Sequence, residues 1–171
     1  MEKNLILWKV GVIGDKGVGK SSLITRFVYG TFSPNGGDDF SSQFVRKKIA
    51  CSEKNLEVLL QEIEPSTLSP KKLESAKAVI LVSDVTRMDS LDHIEKIGKR
   101  VQEVNPKAHI VIVGNKSDLK YMAEFWLEEI KCVSENLNGM LYGVVSAKTG
   151  ENVEDGFTFM CKKILKSKGS L

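Results

Sequence analysis

Three observations predict an α/β fold. Apolar, strand-like runs alternate with amphipathic helical stretches along the chain. Two of those runs, Ala78 to Val82 and Ile110 to Val113 after His109, are continuously apolar, as strands buried on both faces are. A third, Ile6 to Ile13, leads into Gly14-Asp15-Lys16-Gly17-Val18-Gly19-Lys20-Ser21 and then into a helix, so a G-x-x-x-x-G-K-S loop joins a strand to a helix.

The elements follow in order. Ile6 to Ile13 is rich in β-branched residues. After the loop, Leu23, Ile24, Phe27 and Val28 fall on one helical face. Gln43 to Ala50 reads as a strand with Phe44 and Ile49 as its apolar members. Ser52-Glu53-Lys54-Asn55 turns it into Leu56 to Ile63, an antiparallel hairpin. Ala78 to Val82 is the next strand. Ser90 to Val104 carries Leu91, Ile94, Ile97, Val101 and Val104 at helical steps, with Asp89 placed to cap it. His109 to Val113 is a strand. Met122 to Asn136 is a helix carrying Phe125, Leu127, Ile130 and Val133. Leu141 to Val145 is the last strand. Val153 to Lys166 is the last helix, with Phe157, Met160, Ile164 and Leu165 inward. Thr31 to Ser42 and Glu64 to Ser75, the latter holding Pro65 and Pro70, have no clear period. In such sheets, loops at the carboxyl ends of strands are where ligands bind.

With 171 residues the chain suits one domain, 1–171, with a full core. It is 42% hydrophobic and 27% charged, a globular balance. A net charge of +3, without Lys/Arg runs interleaved with aromatics, gives no reason to expect nucleic acid as a partner. Cys51, Cys132 and Cys161 have no metal-ligand spacing, and so sparse a set suits a reduced, cytoplasmic compartment. No apolar run approaches the ~18 residues of a membrane span. The start Met1-Glu2-Lys3-Asn4 is not a signal peptide. His93 and His109 read as ordinary surface or packing residues.

The loop carries the chemistry. Its glycines let successive backbone N–H groups, from Asp15, Lys16, Gly17, Val18 and Gly19 through Ser22, turn inward around phosphate oxygens. The following helix adds its positive dipole end. Lys20 can reach the outer phosphates and the Ser21 hydroxyl can bind Mg²⁺. That much leaves an ATPase, a nucleotide kinase and a GTPase open. Asn115-Lys116-Ser117-Asp118, at the end of a buried strand, narrows the choice. The Asp118 carboxylate can accept two hydrogen bonds from the N1–H and exocyclic amine of guanine, and adenine offers no such pair. A buried polar site of that kind rejects the wrong base by roughly 10⁴-fold. Lys116 can lay its stem along the base, and Asn115 can tie this loop to the phosphate loop. Ser146-Ala147-Lys148 follows the last strand and offers backbone N–H groups to the base carbonyl.

With these residues in view, the chain resembles the Ras superfamily of small GTPases, nearest its Rab-like branch, over almost its whole length. The resemblance is carried by Trp8-Lys9-Val10 running into GDKGVGKSSLITRF (14–27), by Gly30-Thr31-Phe32-Ser33-Pro34-Asn35, by Asp84-Val85-Thr86 with Ser90-Leu91, by Gly114-Asn115-Lys116-Ser117-Asp118-Leu119 and by Ser146-Ala147-Lys148-Thr149-Gly150. It implies a phosphate-loop G domain, a six-stranded, mostly parallel sheet with one antiparallel edge strand and helices on both faces. It implies GTP or GDP with Mg²⁺, and a protein effector or regulator as partner. Lys20 and Ser21 bind phosphate and Mg²⁺ in that family. Asn115, Lys116, Asp118, Ala147 and Lys148 line the guanine pocket, and Phe32 matches the aromatic that covers the nucleotide.

Both switch segments depart from the family. The family's first switch has a threonine seven residues after the aromatic, ligating Mg²⁺, and here that position is Asp39, beside Asp38. Like charges at ~4 Å repel by about 1 kcal/mol in water and about 4 at an effective dielectric near 20. Carboxylates there disfavour a third phosphate unless one of them ligates Mg²⁺. The second switch has an aspartate that holds Mg²⁺ through water, then two residues, a glycine, and a glutamine that orients the attacking water. The matching run puts Glu64 at the aspartate, Thr67 at the glycine and Leu68 at the glutamine. Leucine cannot hydrogen-bond a water. Eleven residues separate Glu64 from Ala76, so the second-switch helix is expected to be short or missing. Lys16 stands where the family has a small residue. It can supply positive charge in cis or simply obstruct an arginine finger from a partner.

Three functions follow as expectations. The first is a guanine-nucleotide-binding module in signalling or vesicle traffic, with slow or absent hydrolysis and a nearly fixed surface toward a partner; no residue but Lys20, and Glu64 as a second possibility, is then a candidate for transition-state chemistry. The second is an active GTPase in which Asp39 and Glu64 serve Mg²⁺ beside Ser21 and a partner completes the site. The third is an interaction scaffold that holds no nucleotide. Rab-like proteins end in prenylated cysteines. This chain ends Lys166-Ser167-Lys168-Gly169-Ser170-Leu171, so membrane attachment is expected only through a partner or a missing tail.

Overall fold

A computed structural model describes residues 4–35, 40, 43–51 and 54–167. Asp38 and Asp39, and half of the Ser52–Asn55 turn, lie outside the described residues.

The order is β1 (Leu5–Ile13), α1 (Lys20–Tyr29), β2 (Val45–Ala50), β3 (Asn55–Ile63), α2 (Pro70–Leu73), β4 (Ala76–Asp84), α3 (Met88–Val104), β5 (His109–Asn115), α4 (Leu127–Asn136), β6 (Met140–Val144) and α5 (Val153–Ser167). The six strands form one sheet in the order β2-β3-β1-β4-β5-β6. Among the described residues only β2 runs antiparallel, at the edge, paired with β3 as the hairpin reading expected. The crossovers pass through helices, as parallel neighbours require.

Two apolar layers cover the sheet. Val10, Val12, Val58 and Leu60 pack toward Ile24 and Phe27 of α1 and Phe157, Met160 and Ile164 of α5. Ile13, Ile63, Val79 and Leu81 pack toward α2, α3 and α4 through Leu73, Leu91, Ile94 and Ile130. Strand alternation sends successive residues to opposite layers. Among the described residues no helix is long and apolar enough to cross a membrane.

Two helix starts differ from the sequence reading. Asp89 does not cap α3. Arg87 holds the cap position, and the first-turn amide of Met88 donates instead to Glu124 Oε2 at 2.7 Å. α4 starts at Leu127 and not at 122, because the Glu124 amide is already committed to the Val85 carbonyl at 2.8 Å. That bond holds the segment extended. Glu129 then accepts the Trp126 amide at 2.9 Å and starts the helix. The short second-switch helix is present as the four residues of α2.

Register decides where the loops meet. Ile13 of β1 stands opposite Ile63 of β3, and Asp84 of β4 opposite Asn115 of β5. The carboxyl ends of five parallel strands therefore share one edge. Gly14, Glu64, Asp84, Asn115 and Ser146 gather there.

The cysteines are unlike one another. Cys161 is fully buried, and burial, then the neighbouring Cys51, push its thiol up to about 12, whereas Cys132 is exposed. A thiol that far up carries almost no thiolate near neutral pH. Titration with a chromogenic disulfide at pH 8 is expected to show a fast thiol that disappears in Cys132→Ser, with Cys161 reacting only after unfolding. A fast phase that survives Cys132→Ser and is lost in Cys161→Ala contradicts this packing.

Candidate nucleotide site

The phosphate loop is shaped by two glycines. Gly17 and Gly19 have φ of 84° and 99°, a left-handed backbone that side chains resist. A Cβ on Gly19 would also stand 2.3 Å from the Asn115 amide nitrogen. Val18 between them turns its side chain into the core and leaves only its backbone to the cleft. Asp15 turns away from the loop's interior, its carboxylate 2.6 Å from His93 Nδ1 of α3. Lys16 is exposed at the mouth, and its carbonyl accepts from Arg87 at 3.3 Å.

The cleft above this loop has a volume of about 580 Å³. It gathers Lys16, Gly17, Gly19, Lys20, Ser21, Ser22 and Phe32 with Asn115, Lys116, Asp118, Ala147 and Lys148, residues up to 132 positions apart (148 less 16) in sequence. Ser146 lies just behind, wholly buried, its hydroxyl donating to Asp118 Oδ1 at 2.6 Å. Asp118 is thus oriented by a group the sequence reading placed on the base side.

Asn115 joins the two halves. Its Nδ2 donates to the Val18 carbonyl at 2.9 Å and its Oδ1 accepts the Ala147 amide at 3.1 Å. One buried side chain fixes the spacing of phosphate loop and base loop, which is the tie the sequence suggested. Lys116 adopts a left-handed φ of 70°, uncommon without glycine. Its ammonium pairs with Asp84 Oδ2 at 2.7 Å. Burial acts to raise the Asp84 carboxyl, but Lys116 and the Thr86 hydroxyl and amide outweigh it and hold the carboxyl below its ordinary value.

Arg26, which the sequence reading left as part of a motif, closes the base loop from below. Its guanidinium donates to the carbonyls of Ala147 at 2.8 Å, Lys148 at 2.6 Å and Gly30 at 2.9 Å. Three carbonyls taken up by one planar fork fix the loop against the end of α1. The spacing of an arginine at the last turn of α1 carries no signal for contacts over a hundred residues away.

At the other end of the cleft stand three charged groups. Lys20 is 3% exposed, and its ammonium donates to the carbonyls of Gly14 at 2.7 Å and Asp15 at 3.0 Å. Glu64 Oε1 is its ionic partner at 3.2 Å. The Ser21 hydroxyl donates to Glu62 Oε2 at 2.6 Å, and the Phe40 amide approaches the same oxygen at 3.4 Å. Glu62 was missed in the sequence. Period-two alternation could have found it: Leu56, Val58 and Leu60 face α1, and 62 is the next position on that face. Thr67 and Leu68 stand elsewhere than their matched roles suggest. Thr67 donates to the Glu64 carbonyl at 3.1 Å, and Leu68 packs against the apolar layer of α3 and α4.

Among the described residues there is no cluster of three or more His, Cys, Asp or Glu that could hold a metal alone. Mg²⁺ asks for less, because it binds through one or two hard protein oxygens with water and phosphate completing its shell. The hydroxyl of Ser21 and carboxylate of Glu62, 2.6 Å apart at the phosphate-loop helix, fit that demand.

Comparison with known proteins agrees with this layout. The Ras family model matches residues 9–166. The chain is similar to Ras-related protein Rab-31 of Rattus norvegicus, 31% identical over 161 residues, covering 91% of this chain and 82% of that protein. It is similar to Ras-related protein Rab5 of Nicotiana tabacum, 30% identical over 91% of this chain and 80% of the relative. To Ras-related protein RABA1e of Arabidopsis thaliana it is 29% identical, over 92% of this chain and 75% of the relative.

The lowered Asp84 has a pH consequence. A depressed folded-state pKa contributes stability above the unfolded value, near 4, and loses it as pH falls through the folded value. The thermal midpoint is expected to drop below about pH 4 more steeply in the parent than in Asp84→Asn. Parallel profiles for the two would contradict the assignment.

Proposed function

We propose, because this chain belongs to the Ras family and is a small GTPase of the Rab-like branch, that it grips GDP or GTP in the cleft described above and turns GTP over slowly. In this role it presents a nearly fixed surface to a protein effector or regulator. The observation that carries the reading is a phosphate loop and a strand-end loop tied across one cleft by Asn115, followed after β3 by a segment whose Leu68 is half-buried against the apolar layer of α3 and α4.

The grip follows from the chain's own groups. Asp118, held by Ser146, accepts from the guanine edge, while the Ala147 amide is taken up by Asn115. Lys116 braces the base face while Asp84 holds its ammonium. Amides of residues 15–22 and the Lys20 ammonium bind phosphate oxygens. Ser21 and Glu62 are the residues that would hold Mg²⁺, with Glu62 in the role the sequence assigned to Glu64; when bound, the ion neutralises phosphate charge. Asp39 remains a candidate first-switch ligand. The family's water-orienting glutamine has no counterpart at Leu68, and an apolar side chain on the core cannot orient a nucleophile.

A second reading, an active enzyme completed by a partner, is favoured by Glu62 on Ser21, which leaves the metal corner equipped. Single-turnover hydrolysis of bound GTP separates the two. The slow reading expects a rate below the roughly 3–5 × 10⁻⁴ s⁻¹ of an intrinsic small GTPase. A rate at or above it contradicts that reading and supports the second. Asp118→Ala is expected to cost at least tenfold in guanine-nucleotide affinity, and an unchanged Kd would contradict the base assignment.

A further inference from the structure

We propose that Glu64 sets the nucleotide preference of the cleft: its carboxylate sits on Lys20 where a terminal phosphate oxygen would, so the chain favours a nucleoside diphosphate over a triphosphate. The inference rests on the cleft being a guanine-nucleotide site.

An ammonium has three donors. Those of Lys20 face three oxygens, the Gly14 carbonyl at 2.7 Å, the Asp15 carbonyl at 3.0 Å and Glu64 Oε1 at 3.2 Å. The two carbonyls belong to the loop itself. The carboxylate is the partner on a movable side chain, 37% exposed, and so the one that an incoming phosphate displaces.

Glu64 is held ready for this position. β3 stays in register with β1 up to Ile63 opposite Ile13, which sets Glu64 directly beside the start of the phosphate loop. Pro65 then fixes the backbone, and the Thr67 amide and hydroxyl both donate to the Glu64 carbonyl, at 3.0 and 3.1 Å. Leu68, half-buried, rests the far side of that turn against the apolar layer of α3 and α4. With the backbone of the turn fixed, only the side-chain torsions of Glu64 are left to order when it meets Lys20.

Sheet order decides which nucleotide suffers. The base loops follow β5 and β6, the phosphate loop follows β1, and Glu64 follows β3 on the opposite side of β1. Strands lie ~4.8 Å apart. A nucleotide with its base at Asp118 therefore extends toward β3 as phosphates are added, and the third phosphate comes closest to Glu64. Two like charges at such range repel, and Glu64 must leave Lys20 before the triphosphate can use it.

The test is calorimetric titration of the nucleotide-free full chain with GDP and with a non-hydrolysable GTP analogue, both in Mg²⁺. The parent is expected to prefer the diphosphate. Glu64→Gln and Glu64→Ala are expected to tighten the triphosphate analogue about tenfold and GDP by less, and to lower the unfolding midpoint of the nucleotide-free chain because the buried Lys20 ammonium loses its counter-charge. An unchanged ratio of the two affinities in both variants overturns the inference and leaves the guanine site standing. Weaker analogue binding in Glu64→Gln, as a metal-holding Glu64 would give, also overturns it. Binding of neither nucleotide by parent or variant removes the guanine-site reading and this inference with it.

Discussion

Burying the Lys20 ammonium at 3% exposure obliges the surrounding chain to bring oxygens to it, because an unpaired buried charge costs several kcal/mol. Gly14 and Asp15 supply two carbonyls from the same loop, and that curl is open only to a backbone with glycines at 17 and 19. The third oxygen comes from Glu64, across the sheet from the base loops. The loop, its helix and the end of β3 are thus built around one cation.

A second constraint sets the distance between the phosphate loop and the loops after β5 and β6. Asn115 is 2% exposed and uses both ends of its amide, one on Val18 and one on Ala147. Buried side-chain amides with both ends satisfied rigidify what they join. Ser146 on Asp118 and Arg26 under Ala147 and Lys148 extend the same network outward. The cleft's dimensions are therefore properties of the fold, while the composition of the segment after β3 determines what chemistry it can perform. That segment follows its own local rules, with prolines at 65 and 70, a four-residue helix and a leucine on the core.

Periodicity made the fold legible. The buried runs of β4 and β5 and the stripes of α3 and α5 are long enough for the pattern to dominate. That the motif residues meet in one cleft was legible because the motifs sit at strand ends, and parallel register brings such ends to one edge. Interactions across the fold were not. Asp89 looked like a cap, yet Glu124 reaches the Met88 amide from a loop 36 residues away. The apolar pattern through Phe125 looked helical, yet the Val85 carbonyl claims the Glu124 amide first. Aligning the post-β3 segment by motif spacing put Glu64 in the metal role. In the fold the Ser21 hydroxyl meets Glu62, two residues earlier, while Glu64 pairs with Lys20.

The central proposal is that the cleft holds guanine nucleotide. The most direct measurement is the nucleotide released on denaturing the protein as purified, identified and quantified by anion-exchange chromatography. Near one equivalent of guanosine nucleotide per chain, mostly diphosphate, is the result predicted. Adenosine nucleotide in that amount, or protein that emerges empty and takes up no added guanosine nucleotide, would contradict it.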